Sequence, residues 1–234
     1  MEKLTFYAIQ APEKLDRIGE HLFQKTNNYL YRKKIDYVYI SIEAMDSLLN
    51  ACGASSLNYI VESFLKMVTL LLESNETGLQ IRATNSFVKF ANIDEDTPSY
   101  HRRYEFFISR FSQLCYTTDQ ENPEMEKQIR LSGLQGLQGV VRKTVNDDLQ
   151  ANIWDDMHMS RIVPALLFNI ECNSEMLLRR SSGNDLSRQK ETGEDANNPA
   201  VPADSCLREL VTRAGFNNIA AILDPLLEFM DDRR

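Results

Sequence analysis

"LNYIVESFLKMVTLLL", Leu57–Leu72, is the stretch whose reading decides the fold. Leu57, Ile60, Val61, Phe64, Leu65, Val68, Leu71 and Leu72 recur three and four places apart. That is the spacing of one helix face, not the period-two alternation of a strand. It predicts a helix buried along one side. Working outward, Val38, Ile42, Met45, Leu49 and Cys52 repeat the pattern on the N-terminal side, with Gly53 as a stop signal. Leu15, Ile18 and Leu22 mark an earlier helix entered through Pro12. On the C-terminal side the spacing returns at Ile162–Ile170, at Cys206–Val211 and at Ile219–Met230. No stretch alternates long enough to make a strand, so the chain is predicted to be all-α.

The segments also resemble one another. "LQIRATNSFVKFA" (Leu79–Ala91) and "KQIRLSGLQGLQGVV" (Lys127–Val141) share Gln-Ile-Arg at a separation of 48 residues. "IVPALLFNI" and "ILDPLLEFM" each put a proline ahead of paired leucines. Helix pairs returning at about 40–47 residues mark armadillo and HEAT arrays. The expected architecture is therefore an elongated α-solenoid of stacked helical hairpins. Residues 1–172 read as the repeats, 173–204 as a disordered polar insertion, and 205–234 as a continuation of the solenoid. The apolar face of Ile219–Met230 has no stacking partner in sequence, which predicts further chain beyond it.

Composition narrows the function. The net charge of −8 disfavours nucleic acid as a partner. Within it, residues 1–34 hold seven Lys/Arg against four Asp/Glu, a cationic beginning on an acidic body. Lys25, Arg32, Lys33 and Lys34, with Lys14 and Arg17 further back, are the candidate patch for an anionic surface. The four cysteines stand far apart with no CxxC, so neither a disulfide framework nor a zinc site is expected. No apolar run approaches the ~20 residues of a membrane-spanning helix.

Chemistry-bearing motifs are sparse. In "NIDEDTPSYHRRYEFFISRF" (Asn92–Phe111), Asp94, Glu95, Asp96 and His101 could ligate a metal. The acids fit better as a helix start, with Asp96 or Thr97 as cap and Pro98 in the first turn. Tyr100, Tyr104, Phe107, Ile108, Phe111, Leu114 and Cys115 would form that helix's apolar face. His101, Arg102 and Arg103 oppose the helix dipole there and call for a local carboxylate or an external partner. "WDDMHM" (Trp154–Met159) likewise reads as a cap. Gly133, Gly136 and Gly139 lack the lysine of a phosphate loop and instead predict close helix contact. No nucleophile elbow occurs. No catalytic residue, metal or cofactor is expected. Ser182, in "RRSS", is a candidate phosphorylation site.

Taken together, "MEKLTFYA", "APEKLDRIG", "VESFLKMV", "TNSFVKFANIDEDTPSYHRRYEFFISRFS", "GLQGVVRKTVNDDLQANIWD" and "IVPALLFNI" resemble the N-terminal part of the rolling-blackout (stambha A, Efr-three) family. The likeness spans nearly the whole chain. It implies a non-catalytic rod at the cytoplasmic face of the plasma membrane that recruits phosphatidylinositol 4-kinase type III alpha. The implied partners are a tetratricopeptide scaffold, hyccin and anionic lipids, in phosphoinositide supply at synapses and in phototransduction. The family's palmitoylated, cysteine-rich leader and its long C-terminal portion are not in this sequence, so the resemblance implies a longer protein. The alternatives are a soluble armadillo-type adaptor without lipid binding, or a lipid hydrolase.

Overall fold

The computed structural model describes residues 2–52, 54–93, 103–118, 122–144, 152–182 and 198–232. Among the described residues there are helices and turns but no strand. They fall into two compact units, Met1–Arg103 and Tyr104–Arg234.

The first unit contains α1 (Glu2–Gln10), α2 (Leu15–Tyr31), α3 (Ile35–Ala51), a short α4 (Ala54–Leu57), α5 (Val61–Leu72) and α6 (Thr77–Ala91). The hairpin α2–α3 packs on the hairpin α5–α6. Leu57, Ile60, Val61, Phe64, Leu65, Val68, Leu71 and Leu72 are all buried, as the spacing predicts. The single helix expected over them is interrupted, however. Tyr59 N–H bonds to Ser56 O at 3.3 Å and Ile60 N–H to Leu57 O at 3.0 Å, so a tight turn separates α4 from α5. Phe64, Phe87 and Phe90 form the aromatic centre, with Phe64–Phe90 ring centroids 5.3 Å apart. Gly19 lets α2 approach α5 closely, since a Cβ there would meet Ser63 Cβ at 3.0 Å.

The second unit contains α7 (Tyr104–Cys115), α8 (Pro123–Thr144), α9 (Asp156–Ser182), α10 (Ala200–Arg213) and α11 (Ile219–Asp231). Here α7 packs against α8 and α9, and α10 against α8 and α9, while α11 covers α9. The face Tyr104, Phe107, Ile108, Phe111, Leu114 and Cys115 is buried as expected. Asn122 starts α8: its Oδ1 accepts the Met125 N–H at 3.1 Å, and Pro123 occupies the first helical position. "WDDMHM" also starts a helix, the Asp155 carbonyl accepting the N–H groups of His158 (2.8 Å) and Met159 (3.0 Å). Gly133 and Gly136 make the predicted close contact. A Cβ on Gly133 would meet Phe111 O at 2.8 Å, and one on Gly136 would meet the Phe111 ring at 2.5 Å.

Two boundaries move from those expected. Helix α9 continues to Ser182 and α10 begins at Ala200, with Ala203 fully buried, so helix occupies both ends of the segment 173–204. Residues 183–197 lie outside the described residues. On α11, Ile222 is buried while Leu223, Leu227 and Met230 are exposed. The cysteines divide in the same way, Cys115 and Cys206 being buried and Cys52 and Cys172 half-buried. Burial pushes the Cys206 thiol up to about 12 and raises Cys115 further.

Candidate functional site

Helix α2 and the corner that ends it carry most of the predicted cations, Arg17 and Lys25 on the helix and Arg32, Lys33 and Lys34 just after it, and this geometry changes how they group. Arg17, His21, Lys25, Asn28 and Arg32 are exposed and separated by four, four, three and four residues. At ~3.6 residues per turn they lie within about 80° of one another, on a single face. From Arg17 to Arg32 that face runs about 22 Å at ~1.5 Å per residue. The sequence suggests a cluster at the end of the helix; the helix turns it into a stripe. No acid interrupts the stripe. Glu20 points elsewhere, approaching Lys66 Nζ on α5 at 3.9 Å and accepting from Gln24 Nε2 at 3.0 Å. Arg17, Lys25, Arg32 and Lys33 form no ion pair with any described residue. Lys14 sits beyond the N-terminal end of the stripe, exposed, in the 3-10 turn Pro12–Lys14.

The C-terminal end of the stripe is built by a defined motif. Lys34 N–H bonds to Tyr29 O at 2.9 Å and Lys33 N–H to Leu30 O at 3.0 Å, the paired bonds of a Schellman stop. Lys33 occupies the left-handed position, with φ of 55°. Glycine is the usual residue there, because a Cβ costs about 1–2 kcal/mol in that conformation. Lys34 then lies over the Tyr37 ring at 5.7 Å, and Tyr37 packs at a tilt of 31° against Tyr29 with centroids 5.1 Å apart. Arg32, Lys33 and Lys34 thus project as three consecutive cations from a fixed corner, with Asp36 the nearest acid in sequence.

The other predicted positions behave differently. Arg103 is engaged internally, its Nη2 donating to Glu62 Oε1 at 2.6 Å, with Lys66 Nζ 3.8 Å from the same oxygen. That carboxylate supplies the local neutralisation the sequence called for. His101 and Arg102 lie outside the described residues, as do Asp94, Glu95, Asp96, Thr97 and Pro98. Ser182 is the last residue of α9.

One groove of about 510 Å³ opens between α3 and α6. At its wall the Asp46 carboxylate, 6% exposed, accepts from Arg82 Nη2 at 3.3 Å and Lys89 Nζ at 3.1 Å. Glu43 also lines it, so two acids face two cations and no net charge remains to draw an ionic substrate. Among the described residues no group of three or more His, Cys, Asp or Glu converges. The His158 Nδ1 is buried without a hydrogen-bond partner, as are the hydroxyls of Thr69, Ser86, Ser112 and Ser132. Burial lowers the His158 pKa, against the opposing pull of Asp155 and Glu105. No described helix is long and apolar enough to cross a membrane.

Reasoning from sequence found the cations but missed the polar face between them, His21 and Asn28. The spacing i, i+4, i+8, i+11, i+15 was the available signal.

Comparison with known proteins gives a consistent result. The family model described as EFR3, armadillo repeat, matches residues 1–234. The mouse protein EFR3 homolog B is 55% identical over 232 residues, 99% of this chain and 28% of the relative. Human EFR3 homolog A is 50% identical over 234 residues, and the Drosophila melanogaster EFR3 homolog cmp44E is 52% identical over 237 residues. The chain spans 28% of the length of each of these relatives. No solved structure matches.

Proposed function

The chain belongs to the EFR3 armadillo-repeat family, and on that premise we propose that it is the membrane-proximal part of a non-catalytic scaffold. The scaffold lies at the cytoplasmic face of the plasma membrane and positions a phosphatidylinositol 4-kinase III alpha complex, with its tetratricopeptide and hyccin subunits, close to its lipid substrate. The family resemblance supplies the kinase complex. The acid-free face of α2 supplies the surface that meets the lipid, and it is the observation that carries the reading.

Magnitudes set the role of that face. A cation near an anionic leaflet contributes roughly 1 kcal/mol. Four to six of them give affinities of about millimolar to tens of micromolar. A contact of that strength orients a protein held by a second attachment; it does not hold one alone. The linear arrangement helps, because a stripe about 22 Å long along a helix can lie on a flat leaflet with every cation within a Debye length of about 8–10 Å.

The test is co-sedimentation with vesicles containing phosphatidylserine or phosphoinositide, comparing the chain with its Arg17→Glu, Lys25→Glu, Arg32→Glu, Lys33→Glu variant. Binding should fall by at least about a thousandfold, since four contributions of ~1 kcal/mol are removed. The melting temperature should hold, because all four side chains are exposed. Undiminished pelleting of the variant would refute the membrane reading and favour a soluble protein-binding adaptor.

A further inference from the structure

We infer that the corner between α2 and α3 is an interfacial anchor, in which Tyr31, supported by Tyr37 and Ile40, seats in the headgroup layer and supplies a part of the attachment that is not electrostatic. The inference rests on the membrane reading and adds a second kind of contact to it.

The observations are local and of three kinds. First, this corner exposes apolar surface: Tyr31 is 90% exposed, Tyr37 52% and Ile40 54%. Tyrosine, with an apolar ring and a polar tip, is the residue type that gathers at the boundary between hydrocarbon and water. Second, Tyr31 immediately precedes Arg32, Lys33 and Lys34 in the chain and Lys34 lies over the Tyr37 ring, so the corner combines hydroxyl, ring and cation as a headgroup region requires. The only acid among residues 29–40 is Asp36, leaving the corner at a net +2. Third, the corner is preorganised. Tyr37 packs against Tyr29 and carries Lys34 over its ring. Lys33 is fixed by the Schellman bonds in a backbone conformation that favours glycine. Carrying a lysine there costs backbone stability and adds a third consecutive cation.

Two measurements test the anchor apart from the charge. In vesicles with brominated acyl chains, the Tyr31→Trp variant should show fluorescence quenching that the parent chain lacks. The parent's single tryptophan, Trp154, is only 6% exposed and serves as the internal control. In salt raised from about 0.1 M to about 1 M, where the Debye length falls from ~10 Å to ~3 Å, the parent should keep measurable binding. Tyr31→Ser should lose about fivefold of that salt-resistant remainder. Binding at low salt with no quenching of the Tyr31→Trp variant would overturn the anchor and leave the electrostatic surface standing. Absence of binding even at low salt would overturn both. Binding of inorganic phosphate in place of vesicles would show an anion site and not an anchor.

Discussion

Arg32 and Arg130 are the same side chain under opposite conditions. Arg130, on α8, is 5% exposed, and its donors are taken: Nε bonds to Asn169 Oδ1 at 2.8 Å and Nη1 to Glu126 Oε1 at 3.1 Å, while the guanidinium lies 5.1 Å from the Phe168 ring centroid. Asn169 continues the network into the Cys115 and Ala165 carbonyls at 3.1 and 2.8 Å. Elsewhere in the second unit Arg142 and Arg213 face Glu209, and Arg208 faces Asp204. Arg32, by contrast, sits at an exposed helix end beside two more cations and faces no acid. Charge alone therefore says little about role. A cation whose partner is inside the unit holds helices together, and one with no partner inside is available to something outside.

This contrast can be broken in two places. The larger effect belongs to Arg130→Ala, which strands Asn169 Oδ1 in the interior and takes one cation from Glu126; unfolding in denaturant should show a loss of about 3 kcal/mol. Vesicle binding by whatever fraction stays folded should be unchanged. A smaller effect of opposite sign is expected for Lys33→Gly. Relieving the left-handed lysine should raise stability by about 1 kcal/mol. Removing its charge should weaken vesicle binding about fivefold. A variant that is more stable and binds less well would sharpen the distinction between holding and reaching; one that is less stable would show that the corner carries no strain.

The helices were legible because burial follows spacing: every residue of Leu57–Leu72 used to predict the fold is buried, and of two that the prediction did not use Met67 is buried and Leu70 half-buried. The glycines of α8 were legible for a similar reason, since glycine persists inside a helix only where something leaves no room for Cβ. Partners across long separations were not. Glu62 lies 41 residues before Arg103, and nothing local to either announces the 2.6 Å contact. The repeated Gln-Ile-Arg was visible, yet its two arginines reach in opposite directions along the chain. Arg82 reaches back to Asp46, and Arg130 reaches forward to Asn169. The lysine at position 33 was hidden by the rule itself, which expects glycine at a helix stop. The extent of α9 was partly signalled by Met176, Leu177 and Leu178, which composition alone assigned to a polar segment.

The placement of the cysteines gives the molecule a built-in chemical asymmetry. Alkylation requires a thiolate, and the two buried thiols, with their raised pKa values, are silent in the folded state. Cys52 in the first unit and Cys172 in the second are the half-buried pair. Burial also raises Cys52, which should slow its reaction with a maleimide relative to a free thiol. Each unit thus brings its own single attachment point for a dye or spin label, and the native sequence can report on both without an engineered handle.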